Sequence, residues 1–552
     1  MQALLQPLSK LGEYEEIKNR IEKNRGILQL AGCIDSQKAH VIYGLGQEKK
    51  NRLVIAENEL KAKELYEDLK FYYPDVFYYP ARDLIFFEAD IHGNLLTKQR
   101  MQVIAALLEK KSVTVVTSIS GCMDYLLPIS VLKKHVLHFK NDSVLDTEAL
   151  KKELINMGFE YNAQAEAPGQ FAMRGGIVDI FLLTEENPVR IEMWGDEIDS
   201  IRSFDAESQR SIENLDEITI YPAEEMVLDD SVLEKGLVSI EKERDKTIQA
   251  FRDAFLPEEA GRIKNMVKEA VSAMREFHDF SSAEHFIRYF YKEPVTFLDY
   301  FEEEDTLLFL DETNHLLASV EAVETEFRES MKHRLEKGYL LAGQTDLLCG
   351  KKLLIHKINQ KNGIGICTME QQKEDWQIND SFYLTTKSVN SYNNSFELLV
   401  KDLKNWKKRG YQVLLLSGSR TRAKRLAQDL LNEGLTAVYT EDRNREIHEG
   451  EIVTTYGYAR SGFEYPMVRF VLITESDIFG KEKKKKRKKT EYSGKKIQSF
   501  SELSIGDYVV HENHGLGIYR GIEKVTVDKV VKDYIKIEYA GNSNLYILAT
   551  QL

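Results

Sequence analysis

The chain has 552 residues and a mass of 63.7 kDa, which exceeds the size of one hydrophobic core, so several domains are expected. Its 43% hydrophobic content and abundant Tyr and Phe exclude a largely disordered chain, and its net charge of −14 argues against a molecule that coats nucleic acid over its whole surface. The four cysteines form no Cys-x-x-Cys pair, which argues against a zinc site and fits a reducing cytoplasm. We expect neither a signal peptide nor a membrane helix, because no apolar run approaches about 20 residues.

Residues 1–135 alternate short apolar strands with charged helices. The predicted strands are Arg52–Ala56, Val76–Tyr79 and Val113–Thr117, and the helices between them are Glu57–Lys70 and Leu95–Lys110. Strands that alternate with helices in this way predict a parallel α/β sheet.

Residues 136–222 have a different pattern. Three stretches, QFAMRGGIVDIF, VRIEMW and EIDSIRSF, alternate apolar and polar residues, and the polar turns TEENP and Gly195-Asp196 separate them. A period of two bounded by turn residues predicts an antiparallel β-meander.

The rest of the chain divides by composition into four parts. Residues 223–390 are helical and then mixed, and residues 391–480 form a second, smaller α/β unit with a helix at Arg420–Asn432 and a strand at Ala437–Tyr439. Residues 481–498 begin with KEKKKKRKK, a basic block that indicates a linker. Residues 499–552 contain five short predicted strands, which favour a small SH3-like β-barrel. These strands are Tyr508–Val510, Ile518–Ile522, Val525–Val527, Tyr534–Tyr539 and Leu545–Ile547.

The order of these motifs resembles one family. Arg-Gly-Gly, Asp-Ile-Phe and Trp-Gly-Asp-Glu-Ile-Asp in the meander resemble the domain shared by the UvrB damage-recognition protein and the bacterial transcription-repair coupling factor, Mfd. The C-terminal SIGDYVVHENHGLGIYRGI is similar to the RNA-polymerase-interacting domain of that factor and to CarD-type regulators. The chain is therefore identified as similar to the N-terminal portion of a coupling factor.

This resemblance implies a fold and a set of partners. The fold would be multidomain α/β: a degenerate RecA/UvrB-like parallel-sheet domain, an inserted antiparallel β domain, a small α/β domain and a CarD-like barrel. The partners would be UvrA and the β subunit of RNA polymerase. The family's two RecA-like motor lobes, which use ATP and Mg²⁺ and contact DNA, have no counterpart in this sequence, so we expect no cofactor in this chain.

The sequence predicts no ATP hydrolysis by this chain alone. A phosphate-binding loop requires Gly-Lys followed by Ser or Thr, and none of the three Gly-Lys pairs has that continuation. We place the degenerate loop at Tyr43–Asn51, with Gly44 and Gly46 as its glycines. Asp311 and Glu312 end the strand LLFLDE and resemble the acidic half of a nucleotide site.

The meander offers the first candidate contact surface. The period of two in Val189–Trp194 leaves Arg190 and Trp194 on the face opposite Val189 and Ile191, and Trp and Arg are enriched at interface hot spots. In the family, the positions that match Arg174, Arg190 and Trp194 are implicated in UvrA binding. The alternative is structural: Arg190 pairs with Glu192 or Glu197, and Trp194 covers a sheet edge.

The C-terminal region offers the second candidate surface. Ile522, Val525 and Val527 belong to a strand flanked by charge, and an edge strand can extend the sheet of a partner. The resemblance implies that this part contacts the polymerase β subunit.

Three functions remain as hypotheses. The first is an interaction platform of a transcription-repair coupling factor that engages polymerase and recruits UvrA. The second is a UvrB-like, ATP-dependent damage-verification protein, and the third is a CarD-type transcription regulator that acts through the barrel alone.

Overall fold

The computed structural model describes residues 2–23, 26–82, 94–109, 111–276, 280, 282–371, 375–442, 444–480, 506–511, 515–527, 530–539 and 544–548. Its α-helices are Gln2–Ser9, Tyr14–Lys23, Asp35–Leu45, Glu59–Leu69, Asn94–Leu108, Ile129–Lys134, Thr147–Asn156, Asp230–Asp253, Pro257–Glu276, Ile287–Phe290, Thr313–Glu336, Lys351–Asn359, Phe396–Lys408, Arg420–Asn432 and Glu475–Phe479. Among these described helices, none combines the length and apolar character that a membrane span requires.

The largest element is a seven-stranded sheet in which every pairing is parallel. From edge to edge its strands are Ile378–Tyr383, Gly26–Ala31, Asn362–Ile366, Thr306–Asp311, Asn51–Ala56, Thr114–Ser118 and Val76–Tyr79. The predicted parallel sheet is thus observed, with four further strands: one from before residue 50, the strand Thr306–Asp311, and two from the region after residue 350. Because its strands come from two distant parts of the chain, the meander lies in an insertion between them.

The two faces of this sheet contact different hydrophobic cores. In the strand Asn51–Ala56, Leu53 and Ile55 join one buried cluster, while Val54 and Ala56 join the other. Successive side chains of a strand point to opposite faces, so a strand that is buried on both faces is apolar at most of its positions. This requirement explains the uninterrupted apolar runs in the sequence.

The meander is a six-stranded sheet, antiparallel except for one short parallel edge pairing. Its strands in spatial order are Ser211–Leu215, Glu197–Phe204, Val189–Trp194, Ile177–Ile180, Gln170–Arg174 and Glu160–Tyr161. A two-stranded antiparallel ladder pairs Leu137–Lys140 with Glu217–Ile220 and brings the two ends of this region together. The predicted β-meander is therefore present, with additional edge strands.

The small α/β unit has a mixed sheet. Its strands in order are Lys387–Ser388, Phe463–Tyr465, Phe470–Thr474, Gln412–Ser417, Ile452–Tyr456 and Ala437–Tyr439, and the last four are mutually parallel. Arg460 joins this unit to the first sheet through the helix Glu59–Leu69, where its guanidinium donates to Asp68 at 2.8 Å and contacts Glu64 at 2.6 Å.

The C-terminal region forms a four-stranded antiparallel sheet, with strands Tyr508–His511, Gly515–Val527, Val530–Glu538 and Asn544–Leu548 in that order. Two predicted strands, Ile518–Ile522 and Val525–Val527, are parts of the single strand Gly515–Val527. The prediction of two separate strands is therefore wrong at this point. Closure of the sheet into an SH3-like barrel stays a prediction.

Candidate functional site

The central meander strand Val189–Trp194 has one buried face and one face on the surface of the domain. Val189 and Ile191 are buried, whereas the Trp194 side chain is 84% exposed. Gly195 follows with a φ of +66°, a conformation that glycine adopts without steric cost, and it reverses the chain directly after the indole. The Trp194 ring is therefore held at the tip of a tight hairpin, and it does not cover a sheet edge.

The two arginines of this face converge on one buried carboxylate. Asp179, whose side chain is 2% exposed, accepts two hydrogen bonds from Arg190, at 2.6 Å and 2.9 Å, and one from Arg174 at 3.0 Å. The hydrogen bonds that Arg190 donates to Asp179 raise the pKa of Arg190. A bidentate guanidinium–carboxylate pair of this kind is a strong, geometrically defined contact.

Arg190 and Arg174 differ in how much of each guanidinium remains free of contacts within the domain. Arg190 also donates to Gln209 at 2.9 Å and lies over the Phe204 ring at 4.4 Å, so most of its guanidinium is used within the domain. Arg174 makes one contact with Asp179 and its side chain is 49% exposed. Arg174 and Trp194 therefore present free surface, and Arg190 holds the network together.

The structural alternative for Arg190 named the wrong partner. Arg190 pairs with Asp179 on the neighbouring strand and not with Glu192 or Glu197. Glu192 instead pairs with Arg202 and accepts from Ser200 at 3.2 Å. Asp179 lies opposite Arg190 on the neighbouring strand. The spacing of residues along a single strand does not reveal which residues of two strands are paired.

The acidic strand end Asp311-Glu312 contacts a lysine. The Lys38 ammonium lies 2.6 Å from Asp311, 2.9 Å from Glu312 and 2.9 Å from Asp35, and its side chain is 3% exposed. Burial lowers the pKa of Lys38, but the attraction of these carboxylates outweighs it and leaves the pKa raised. The carboxylates that resemble a nucleotide site are thus neutralised by the chain itself.

The structure does not bring the predicted glycines to this acidic pair. Gly44 lies within the helix Asp35–Leu45, and Gly46 is the residue that ends it. Lys38 is near the start of the same helix, so Gly44 is about 9 Å further along the axis. The segment between strand and helix that matches a phosphate-binding loop in position is 32–34, after the strand Gly26–Ala31.

The C-terminal strand Gly515–Val527 has one long unpaired side. Tyr508–His511 pairs only with its residues Gly515–Ile518, whereas Val530–Glu538 pairs along the other side from Ile518 to Val527. Within the described residues, the part that holds Ile522, Val525 and Val527 is therefore paired on one side only.

Two family models match this chain. Residues 137–226 match the UvrB interaction domain, and residues 503–552 match the CarD-like/TRCF RID domain. These two matches contain the two surfaces described above.

Relatives extend the similarity to nearly the whole chain. The transcription-repair-coupling factor of Bacillus subtilis (strain 168) is 29% identical over 98% of this chain and 46% of its own length. That of Staphylococcus haemolyticus (strain JCSC1435) is 28% identical over 92% of this chain and 43% of its own length. The chain thus spans somewhat less than half the length of these relatives. The resemblance inferred from the sequence is confirmed: the chain is similar, along nearly all of its length, to the N-terminal portion of transcription-repair coupling factors.

Proposed function

We propose that this chain is an interaction platform in transcription-coupled repair, which recruits UvrA through the meander and engages the β subunit of RNA polymerase through the C-terminal sheet. The observation that carries the first half is the combination of an 84% exposed Trp194 with Arg174 and Arg190 fixed on Asp179. Trp and Arg are enriched at interface hot spots, and a side chain that is already fixed loses less entropy on binding. The match of this region to the UvrB interaction domain supports the proposal.

The roles within this surface are separate and can be tested one at a time. Trp194→Ala and Arg174→Ala remove exposed groups, so each is expected to weaken UvrA binding by about 2 kcal/mol, or roughly thirtyfold in Kd, without loss of stability. Arg190→Ala leaves the buried Asp179 with only Arg174, and is expected to lower the stability of the domain by about 3 kcal/mol as well. Kd is measured by biolayer interferometry with purified UvrA, and stability by thermal unfolding.

The matched controls are exposed residues of the same type elsewhere. Phe255→Ala removes a ring that is 91% exposed in the helical region, and Arg425→Ala removes a guanidinium that is 83% exposed in the small α/β unit. Both controls are expected to bind UvrA as the unmodified chain does. If the two contact variants and the two control variants all bound UvrA equally well, the proposed UvrA contact on the meander would be wrong.

The polymerase half of the proposal rests on the one-sided pairing of the strand Gly515–Val527 and on the match to the CarD-like/TRCF RID domain. An unpaired strand edge supplies backbone hydrogen bonds, and alternate side chains supply specificity. Thr526, the next residue in the sequence, serves as the internal control for Val525, because successive residues of a strand alternate between its two faces.

Val525→Glu is expected to reduce binding to the isolated polymerase β subunit at least tenfold, because it places a charge on the face that would be covered. Thr526→Glu, one residue away, is expected to have a smaller effect. Binding is measured by fluorescence anisotropy with a labelled chain. A reversed order of the two variants would place the contact on the opposite face, and undiminished binding by both would remove the strand from the interface.

A further inference from the structure

A wide cleft separates the edge of the parallel sheet from the inner side of the meander region. Its volume is about 900 Å³, the size of a site for a substantial ligand. One wall is formed by residues 75–78, and the other by residues 184–187 together with residues of the strands Ser211–Leu215 and Glu217–Ile220. The cleft lies away from Trp194, which does not line it.

The first wall is a strand edge that is unpaired within the described residues. Val76–Tyr79 is the last strand of the seven-stranded sheet, and among the described strands it pairs with Thr114–Ser118 alone. Asp75 C=O accepts from Thr114 N–H at 3.2 Å, so the alternation of a strand directs the N–H and C=O of Val76 and Tyr78 away from the sheet. Four consecutive residues line the cleft because the strand presents its edge and not one face. This edge is a template for a further strand.

The lining of the cleft is strongly acidic. Six carboxylates face it, against one lysine, Lys111, among the described lining residues. The carboxylates are Asp75, Glu109, Glu185, Glu186, Glu213 and Glu217, and all six side chains are on exposed residues. A hydrogen bond to Glu109, together with the attraction of Asp75 and Glu185, raises the pKa of Lys111. Carboxylates from three separate chain segments therefore contribute negative charge to the same part of the cleft.

We propose that this cleft binds an extended, lysine- or arginine-rich segment of another protein, which adds as a strand to the edge Val76–Tyr79. The unpaired backbone at Val76 and Tyr78 supplies the hydrogen bonds, and the six carboxylates select a cationic sequence. Apolar side chains of the walls, including Phe77 and Leu215, accept the alternate residues of the bound segment. A nucleic acid is excluded as the occupant by its charge.

The test uses a fluorescein-labelled nonapeptide of alternating Lys and Val as the probe, with Kd measured by anisotropy on the full chain. The variant Glu185→Gln/Glu186→Gln/Glu213→Gln removes three carboxylates that have no ion-pair partner among the described residues. It is expected to weaken binding about tenfold, since each partly exposed charge pair contributes a factor of about two to five. The matched control is Glu326→Gln/Glu329→Gln/Glu336→Gln, which changes the net charge equally on the exposed side of a distant helix.

Two further probes test strand addition itself. They are the same peptide, N-methylated either at the backbone nitrogen of every Lys or at the backbone nitrogen of every Val. Only alternate N–H groups of an added strand face its neighbour, so one methylated probe is expected to lose binding and the other to keep it. The proposal would be overturned if both methylated probes bound equally well or both lost binding equally. It would also be overturned if the two triple variants weakened binding equally, or if the unmethylated probe did not bind.

Discussion

The charge balance at the end of the strand Thr306–Asp311 depends on Lys38. Its ammonium is almost fully buried and contacts Asp35, Asp311 and Glu312 within 3 Å, so it compensates two carboxylates that are themselves largely buried. Removal of one member of a buried ionic group leaves uncompensated charge, which costs more than the group contributes when intact. The stability of this corner therefore depends on one side chain.

Lys38→Met is expected to lower the free energy of unfolding by about 3–5 kcal/mol at pH 7, measured by urea denaturation followed by circular dichroism. Lys61→Met is the matched control: it removes a lysine that contacts the same Asp35 at 2.9 Å but is 34% exposed, and it is expected to cost less than about 1 kcal/mol.

The cost of Lys38→Met should also depend on pH. Without the ammonium, the buried carboxylates of Asp311 and Glu312 bind protons more tightly in the folded state than in the unfolded state. Stability of the variant is then retained below the ordinary carboxyl pKa and lost as the pH rises towards 7. A cost that is the same at pH 4.5 and pH 7.5 would contradict this electrostatic account.

At the scale of elements, the helical hairpin after the meander contains one strained residue. The helix Asp230–Asp253 ends with Phe255 N–H donating to Arg252 C=O at 3.0 Å and Leu256 N–H to Phe251 C=O at 2.8 Å, the hydrogen bonds of a Schellman motif. Phe255 therefore occupies the left-handed position, with a φ of +59°, where glycine is usual.

Phe255→Gly is expected to raise the free energy of unfolding by about 1 kcal/mol, because it removes the clash of a Cβ atom in the left-handed region. Phe255→Ala keeps the Cβ atom and loses the same exposed ring, so it should gain much less. Both are measured by urea denaturation. A similar gain in both variants would trace the effect to the exposed ring and not to the backbone.

Element patterns in the sequence predicted most of the sheet-forming segments. The helix Arg420–Asn432 and the strands Val76–Tyr79 and Ala437–Tyr439 have the observed bounds, because capping and turn residues flank them. The strand Gly26–Ala31 was missed, since the buried Gln29 interrupts its apolar run. This omission has a consequence for the site: without that strand, the loop that precedes a nucleotide-binding helix was placed at the wrong end of the helix Asp35–Leu45.

The candidate site was predictable in its exposed residues and not in its buried ones. Alternation along one strand indicated that Trp194 faces outward, which a single strand suffices to show. The role of Asp179 depends on pairing between two strands, and pairing across a ladder is a long-range property that spacing within a strand does not contain. The same limitation applies to Lys38, whose partners Asp311 and Glu312 lie more than 270 residues further along the chain.

At the scale of the whole molecule, a buried ionic cluster joins three chain segments. Arg100 contacts Glu225 at 2.5 Å and Asp124 at 3.4 Å, while Arg82 contacts Glu225 at 2.8 Å and Glu284 at 2.5 Å. Glu225 follows the meander and Glu284 belongs to the helical region, so the cluster connects both to the parallel-sheet domain. Within the described residues, two guanidiniums face three carboxylates, so these five side chains together carry one excess negative charge.

The excess negative charge affects the pKa of the Asp124 carboxyl. Burial raises its pKa to about 6, although the two arginines oppose the change. In the unfolded chain its pKa is close to 3.8, so unfolding releases its proton at mildly acidic pH. Asp124 therefore makes folding less favourable as the pH rises from about 4 through 6, and the effect is complete above pH 7.

Asp124→Asn is expected to be nearly neutral at pH 4 and to stabilise the molecule by about 1–3 kcal/mol at pH 8, because the amide does not ionise while the two arginines keep Glu225 and Glu284. Glu225→Gln should act in the opposite direction and cost about 3–5 kcal/mol at pH 8, since burial of its carboxylate is what balances both guanidiniums. Both variants are compared by thermal and urea unfolding across pH 4–8. If Asp124→Asn destabilised the chain at pH 8 as strongly as Glu225→Gln, Asp124 would be an ionised partner of Arg100 and the excess charge would reside elsewhere in the cluster.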